Sequence, residues 1–301
     1  MKDAETNGLT VHVVDGTYEL FRQHFARPSK VNADGLEVGG ARGVLRSMVT
    51  MLEDGATHIG VATDHVVESF RNELYDGYKT GEGMDPEIAD QFGPLEDGLR
   101  GIGLATYPMI EYEADDGMAS LAAVASADDR VKKVLLCTAD KDLAQSVVEG
   151  RVLQFNRRDN KILDVADVEE KYGVKPESIP DWLGLVGDSA DGFPGLKGWG
   201  AKSAAAVLQR YDHIENIPLA AGQWDITVRG GAKLAKTLAE NLEDALLFRR
   251  LATLEVEAPT ASSVDELRWT GPAENIEEVA AFFDADDLVT RTTKLAAVRG
   301  S

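Results

Sequence analysis

The chain has 301 residues, 44% of them hydrophobic, with 31 Lys plus Arg against 52 Asp plus Glu for a net charge of −21, enough to bury a core as one large domain or two. No apolar run reaches the roughly 18 residues of a membrane span, and the start Met1-Lys2-Asp3-Ala4-Glu5-Thr6 lacks the shape of a secretion signal, so a soluble, cytoplasmic protein is expected. The single cysteine, Cys137, excludes an internal disulfide or cysteine metal cage, and within Val134-Leu135-Leu136-Cys137 it reads as an inert core thiol.

In chain order, residues 9–14 read as a strand, 18–25 as an amphipathic helix, 43–52 as a helix and 58–62 as a strand. Residues 71–98 form a long polar connection punctuated by glycine, either a mobile loop or a loosely packed helical arch. The run Tyr107-Pro108-Met109-Ile110, a helix at 118–125 and a strand at 133–136 follow. Such alternation predicts an α/β fold, a mainly parallel central sheet flanked by helices. After about residue 180 the strand signal fades, and 182–211 and 230–254 read as helices broken by glycine-rich turns, with an acidic tail at 277–288. Two domains are expected, 1–180 and 181–301.

Three apolar runs stop at an aspartate: Val13-Val14-Asp15, Ala62-Thr63-Asp64 and Cys137-Thr138-Ala139-Asp140-Lys141-Asp142. The acidic groups Glu113-Ala114-Asp115-Asp116 and Asp188-Ser189-Ala190-Asp191 stand at further strand or turn exits. In an open parallel sheet the carboxyl ends of the strands face one crevice, so these acids are expected to converge. Crowded carboxylates are costly unless cations cancel them. Oxygen donors without histidine or cysteine select hard ions, Mg²⁺ or Mn²⁺, and two such ions are suited to hydrolysing a phosphodiester. Any one of these acids alone reads as a helix N-cap, a first-turn acid or a turn former before it reads as a metal ligand. The acidic balance argues against a nucleic-acid partner at long range, but net charge is a sum and says little about one cleft.

A second signal is Pro194-Gly195-Leu196-Lys197-Gly198-Trp199-Gly200-Ala201-Lys202-Ser203-Ala204. Its glycines allow backbone amides to approach a phosphate closely, with Lys197 and Lys202 adding charge. Ala201 separates Gly200 from Lys202, which excludes a nucleotide-triphosphate loop, and no strand precedes a dinucleotide fingerprint. An ordinary turn between helices explains the segment equally well. An aspartyl-phosphate phosphatase does not fit, because Thr17 stands where a second aspartate belongs.

Taken in order from Val11 to about Leu254, these motifs, with Phe70-Arg71-Asn72-Glu73-Leu74 and Gly77-Tyr78-Lys79, resemble the 5′-nuclease family. That family includes the amino-terminal nuclease domain of bacterial DNA polymerase I, phage 5′-exonucleases and flap endonucleases. The resemblance implies a PIN-like nuclease core with an arch at about 71–100, and a DNA-binding helix–three-turn–helix element at about 182–211. It also implies a stand-alone member, since no polymerase module follows. By the same resemblance Asp15, Asp64, Glu113 and Asp115 hold one metal ion, and Asp140, Asp142 and Asp191, with Asp115 shared, a second. Asp116 and Asp188 orient waters or ligands. Lys79 and Arg71 contact the scissile phosphate, and Tyr78 belongs to the same motif at the DNA. Phe21 stacks on a terminal base, though on pattern alone it reads as core. Gly195, Lys197, Gly198, Gly200, Lys202 and Ser203 grip the duplex backbone, in a turn that can also hold K⁺.

The implied activity is divalent-metal-dependent 5′-3′ exonuclease and 5′-flap endonuclease, acting as a monomer on DNA with 5′ ends, flaps or junctions. Departures from the family are Glu82 where an arginine is common, the acidic arch around it, Gly192 where asparagine is usual, and Gly117 inside a helix. Reversed charge beside a phosphate path weakens binding, which motivates an alternative, a DNA-structure-binding module with weak or no cleavage.

Overall fold

The computed structural model describes residues 8–300, and the charged start at residues 1–6 lies outside them. Contacts gather the chain into two units: one from residues up to 67, 81–138 and 255 onward, the other from 68–80 and 139–254. Both are discontinuous in sequence.

The first unit is built on four parallel strands, β1 (Leu9–Asp15), β2 (His58–Asp64), β3 (Ala105–Met109) and β4 (Val131–Cys137), in the order β3-β2-β1-β4. Val11, Val13 and Val14 are fully buried, as a central parallel strand covered on both faces requires. The helices Gly16–Ala26 and Gly39–Glu53 connect β1 to β2, and Ala114–Ala127 connects β3 to β4. Register places Val14 opposite both Val61 and Cys137, and Asp64 opposite Met109. The strands therefore end nearly level, and Asp15 and Asp64 close β1 and β2 at the same carboxyl edge.

The Ala114–Ala127 helix lies close on this sheet, and Gly117 is the reason it can. A Cβ there would stand 2.7 Å from Met109 Cε and 3.0 Å from Ala62 Cβ. Close packing thus compensates the roughly 1 kcal/mol of helix propensity that glycine gives up. The carboxyl-terminal stretch belongs to this same unit: Trp269 donates its backbone N–H to Thr57 O at 2.9 Å and its indole N–H to Ile102 O at 2.8 Å. Cys137 is a free, buried thiol.

The second unit contains an antiparallel hairpin, β5 (Val152–Asn156) and β6 (Lys161–Leu163), that the sequence pattern does not predict. Its helices include Ile179–Val186, Ala201–Tyr211, Gly231–Glu240 and Leu242–Ala252. Phe193 stacks on Phe248 with ring centroids 5.8 Å apart, within an apolar core that also holds Leu183, Leu185 and Val207. Gly184 brings two helices together, since a Cβ there would lie 2.9 Å from Arg249 N and 3.0 Å from Ala245 O. No helix among the described residues is long and apolar enough to cross a membrane.

Candidate metal centre and nucleic-acid interface

In the first unit the strand-end carboxylates are held by backbone and hydroxyl donors. Asp15, 5% exposed, caps the Gly16–Ala26 helix through Tyr18 N–H at 2.8 Å and accepts the Thr138 hydroxyl at 3.0 Å. Asp64 donates its own N–H to Thr17 Oγ1 and accepts the Ala114 N–H, each at 2.8 Å, tying the end of β2 to the start of the next helix. Asp116 is fully buried. Its two oxygens accept N–H groups from Glu113 at 3.0 Å and Glu255 at 2.8 Å. The side chain expected to orient waters or ligands is thus engaged with backbone on both sides, and fixes the segment that carries Glu113 and Asp115. Glu113 is buried and Asp115 half-buried. Phe21 is half-buried, edge-on to Phe92 with centroids 6.5 Å apart.

The second unit brings three of the predicted residues together. Asp142, Asp188 and Asp191, all buried, each offer a carboxylate oxygen within 4.8 Å of the others. Asp140 accepts the Asp142 N–H at 2.9 Å, and its carbonyl accepts the Gln154 amide. Burial first, then the charges of Asp140 and Asp191, push the Asp142 carboxyl well above the ordinary carboxylate range, and Lys141 only partly opposes them. Asp142 Oδ1 is buried without a hydrogen-bond partner. Lys141, whose role sequence reasoning missed although it stands inside the quoted motif, pairs with Asp188 and lies 3.9 Å from Asp142. Burial alone would pull this ammonium down, but Asp142, Asp188 and Asp140 outweigh it and raise its pKa. Asp188 and Phe193 exchange two backbone hydrogen bonds, closing the tight loop that carries Asp191.

Lys79 meets that loop twice. Its ammonium is 2.9 Å from Asp191 Oδ1 and its N–H donates to Asp191 O at 2.9 Å. Two neighbours expected at the DNA are instead interior. Tyr78 is 3% exposed, within the apolar core, with Lys79 Nζ 5.6 Å from its ring centre. Arg71 is 1% exposed and donates to the carbonyls of Leu251 at 2.7 Å and Thr253 at 3.1 Å, so it braces the chain rather than facing solvent. Asn72, also missed, donates to Lys79 O at 2.9 Å and fixes the turn presenting that lysine.

In the glycine-rich segment Gly195 takes φ +65°, and a Cβ there would lie 2.3 Å from Gly187 N. Gly200 caps the Ala201–Tyr211 helix, donating its N–H to Ser203 Oγ at 3.0 Å. Lys197, Gly198 and Lys202 are exposed. Trp199 is buried, its indole donating to Leu234 O at 3.3 Å.

An oxygen-only donor set in which the buried Asp142 Oδ1 has no hydrogen-bond partner fits a hard divalent cation. Two family signatures cover the chain in sequence. "5'-3' exonuclease, N-terminal resolvase-like domain" matches residues 10–173, and "5'-3' exonuclease, C-terminal SAM fold" matches 174–275. The chain belongs to the 5′-3′ exonuclease family. Members of this family are phosphodiester hydrolases, and their resolvase-like core and helical domain correspond to the α/β fold and helical region described above. DNA polymerase I of Bacillus caldotenax is 34% identical over 278 residues, 90% of this chain and 30% of that protein. This 5′-3′ exonuclease family chain thus spans about a third or less of the DNA polymerase I relatives it matches. The 5′-3′ exonuclease of Buchnera aphidicola is 29% identical over 253 residues, 83% of this chain and 87% of that one. The T5 D15 protein, co-crystallized with metal ions, shares the fold with a TM-score of 0.65 at 19% identity, over 96% of this chain and 99% of that chain.

Proposed function

We propose that this chain is a divalent-metal-dependent nuclease that removes nucleotides from DNA 5′ ends and cuts 5′ flaps, in replication or repair, as a cytoplasmic monomer. The observation that carries the reading is the cluster of Asp142, Asp188 and Asp191, able to hold one cation, in a chain of the 5′-3′ exonuclease family. Asp15, Asp64, Glu113 and Asp115 are the ligand set for one Mg²⁺ or Mn²⁺ ion, and Asp140, Asp142 and Asp191 for a second. When bound, such ions supply water activation at neutral pH and neutralise charge at the leaving oxygen.

The chain's own residues do the positioning. Asp116 fixes the backbone of Glu113, and Lys141 holds Asp188. Lys79 presents its ammonium to the scissile phosphate, on a segment braced by Arg71 and Asn72. Phe21 stacks on the terminal base, and Tyr78 supports Lys79 from below. Lys197, Lys202 and Ser203, with the amides around Gly195, Gly198 and Gly200, hold duplex backbone without reading sequence. The same turn takes K⁺.

The test is product mapping on a doubly labelled 5′-flap duplex with titrated Mg²⁺. Products are expected only with metal. Asp140→Ala is expected to lower cleavage by at least about 100-fold while duplex affinity in EDTA stays nearly unchanged, and full activity in that variant refutes the ligand assignment. The exposed Glu82 favours a second reading, a structure-binding module. Binding without products across the metal titration would select it.

A further inference from the structure

In a chain of net charge −21, the first unit holds a cavity of about 270 Å³ lined by Arg27, Lys30, Arg42 and Arg46. It lies where the Gly16–Ala26 helix ends and the Gly39–Glu53 helix begins. Two of its cations are already neutralised, Lys30 by Asp284 at 2.5 Å and Arg46 by Asp287. The other two are not. Arg27 donates to the neutral amide oxygen of Gln23. The Arg42 side chain makes no hydrogen bond or ion pair among the described residues; its charge helps hold the Asp284 carboxyl below the usual range, and its Nε is buried without a hydrogen-bond partner.

The backbone around the cavity is shaped to admit these side chains. At Gly43 a Cβ would stand 2.9 Å from Arg27 Nε and 2.8 Å from Gln23 Oε1, so the glycine leaves room for both flexible side chains as they lie here. Glu37 accepts the N–H groups of Gly39 at 2.7 Å and Lys30 at 3.0 Å, so the donors left facing the cavity are guanidinium groups rather than helix amides. A buried donor without a partner is costly until an acceptor arrives. Guanidinium forks match tetrahedral anions in pairs of parallel hydrogen bonds.

We propose that this cavity is a phosphate-binding subsite, and that it takes a non-scissile phosphodiester of bound DNA through Arg27 and Arg42. The proposal rests on the DNA reading above. Asp15 caps the start of the Gly16–Ala26 helix and Arg27 its end. The 11 residues between them span about 16 Å, so the phosphate held here lies several nucleotides from any linkage held at Asp15.

The test measures duplex affinity by fluorescence anisotropy in EDTA across a salt series, for the wild type, Arg27→Gln/Arg42→Gln and Arg42→Lys, each checked for an unchanged melting temperature. The double variant is expected to lose about one unit of the salt slope, one phosphate contact, and Arg42→Lys, which keeps charge but not the fork, part of it. Should the double variant fail to fold, Arg42→Lys decides. A parallel titration with pyrophosphate separates the sources. Pyrophosphate binding lost in the variants, with their DNA slope unchanged, assigns the cavity to a free phosphate compound and overturns the DNA occupant. Unchanged DNA slope together with no pyrophosphate binding overturns the site altogether. A wild type that binds no duplex sinks the DNA reading and the DNA occupant together, whereas a wild type that binds duplex with the variants' slope sinks this inference alone.

Discussion

Asp142 is a buried acid with Asp140 and Asp191 pressing on it, and that load sets a testable sign. An acid whose folded pKa lies above its unfolded value binds protons more readily when folded. Its contribution to stability is therefore full at low pH and is lost as pH rises from the ordinary carboxylate value through the raised one. Asp142→Asn removes the penalty. In EDTA the variant is expected to melt above the wild type at about pH 8, with the gap closing as pH falls toward the ordinary carboxylate range. Thermal melts across that range check it, and a variant less stable at every pH would refute the assignment of strain to Asp142. Gly192 makes the complementary case. Read along the chain, it stands where the family resemblance implies an asparagine. In the fold it takes φ +87°, and a Cβ there would lie 2.2 Å from Gly77 O, in the turn that presents Lys79. Gly192→Asn is expected to cost roughly 1–3 kcal/mol, read by urea unfolding, because backbone rather than a flexible side chain must give way.

At the scale of elements, Asp116 is the knot of the Ala114–Ala127 helix, joining its start to Glu113 and to Glu255. Asp116→Ala leaves two buried N–H groups unpaired, and the expected loss is roughly 2–4 kcal/mol of unfolding free energy, with weaker Mn²⁺ binding because Glu113 loses its anchor. Denaturant unfolding and a metal titration check the two halves separately. The same region explains what could be read without coordinates. Strands β1, β2 and β4 are apolar runs that stop at or near an acid, and their period and terminators lie within seven residues. The hairpin of β5 and β6 escaped because Lys161–Leu163 is too short to show a period. Arg71 and Tyr78 were legible as part of a motif but not as interior residues. The carbonyls that hold Arg71 come from Leu251 and Thr253, about 180 positions away, and local sequence carries no trace of them.

At the scale of the molecule, sequence order and contact order diverge, since each unit draws on separated segments. No pattern read in a window of ten or twenty residues reports that, whereas the charge balance is legible at once and constrains binding. Under the proposed function, a chain of net charge −21 holds a polyanion against its own carboxylates. Buried acids such as Asp142, Asp188 and Asp191 act at close range in a medium that screens poorly, so neutralising them matters more than neutralising surface acids. Ca²⁺ accepts oxygen ligands as Mg²⁺ does but with looser geometry, and it serves as a probe of binding alone. Duplex affinity in Ca²⁺ is expected to exceed that in EDTA at matched ionic strength by about tenfold. In Asp142→Asn/Asp191→Asn the gain should shrink, because fewer charges remain for the ion to cancel. Anisotropy titrations read both quantities. Equal affinity with and without Ca²⁺ in the wild type would mean that these carboxylates do not face the bound DNA, and the ligand assignment would fall with that result.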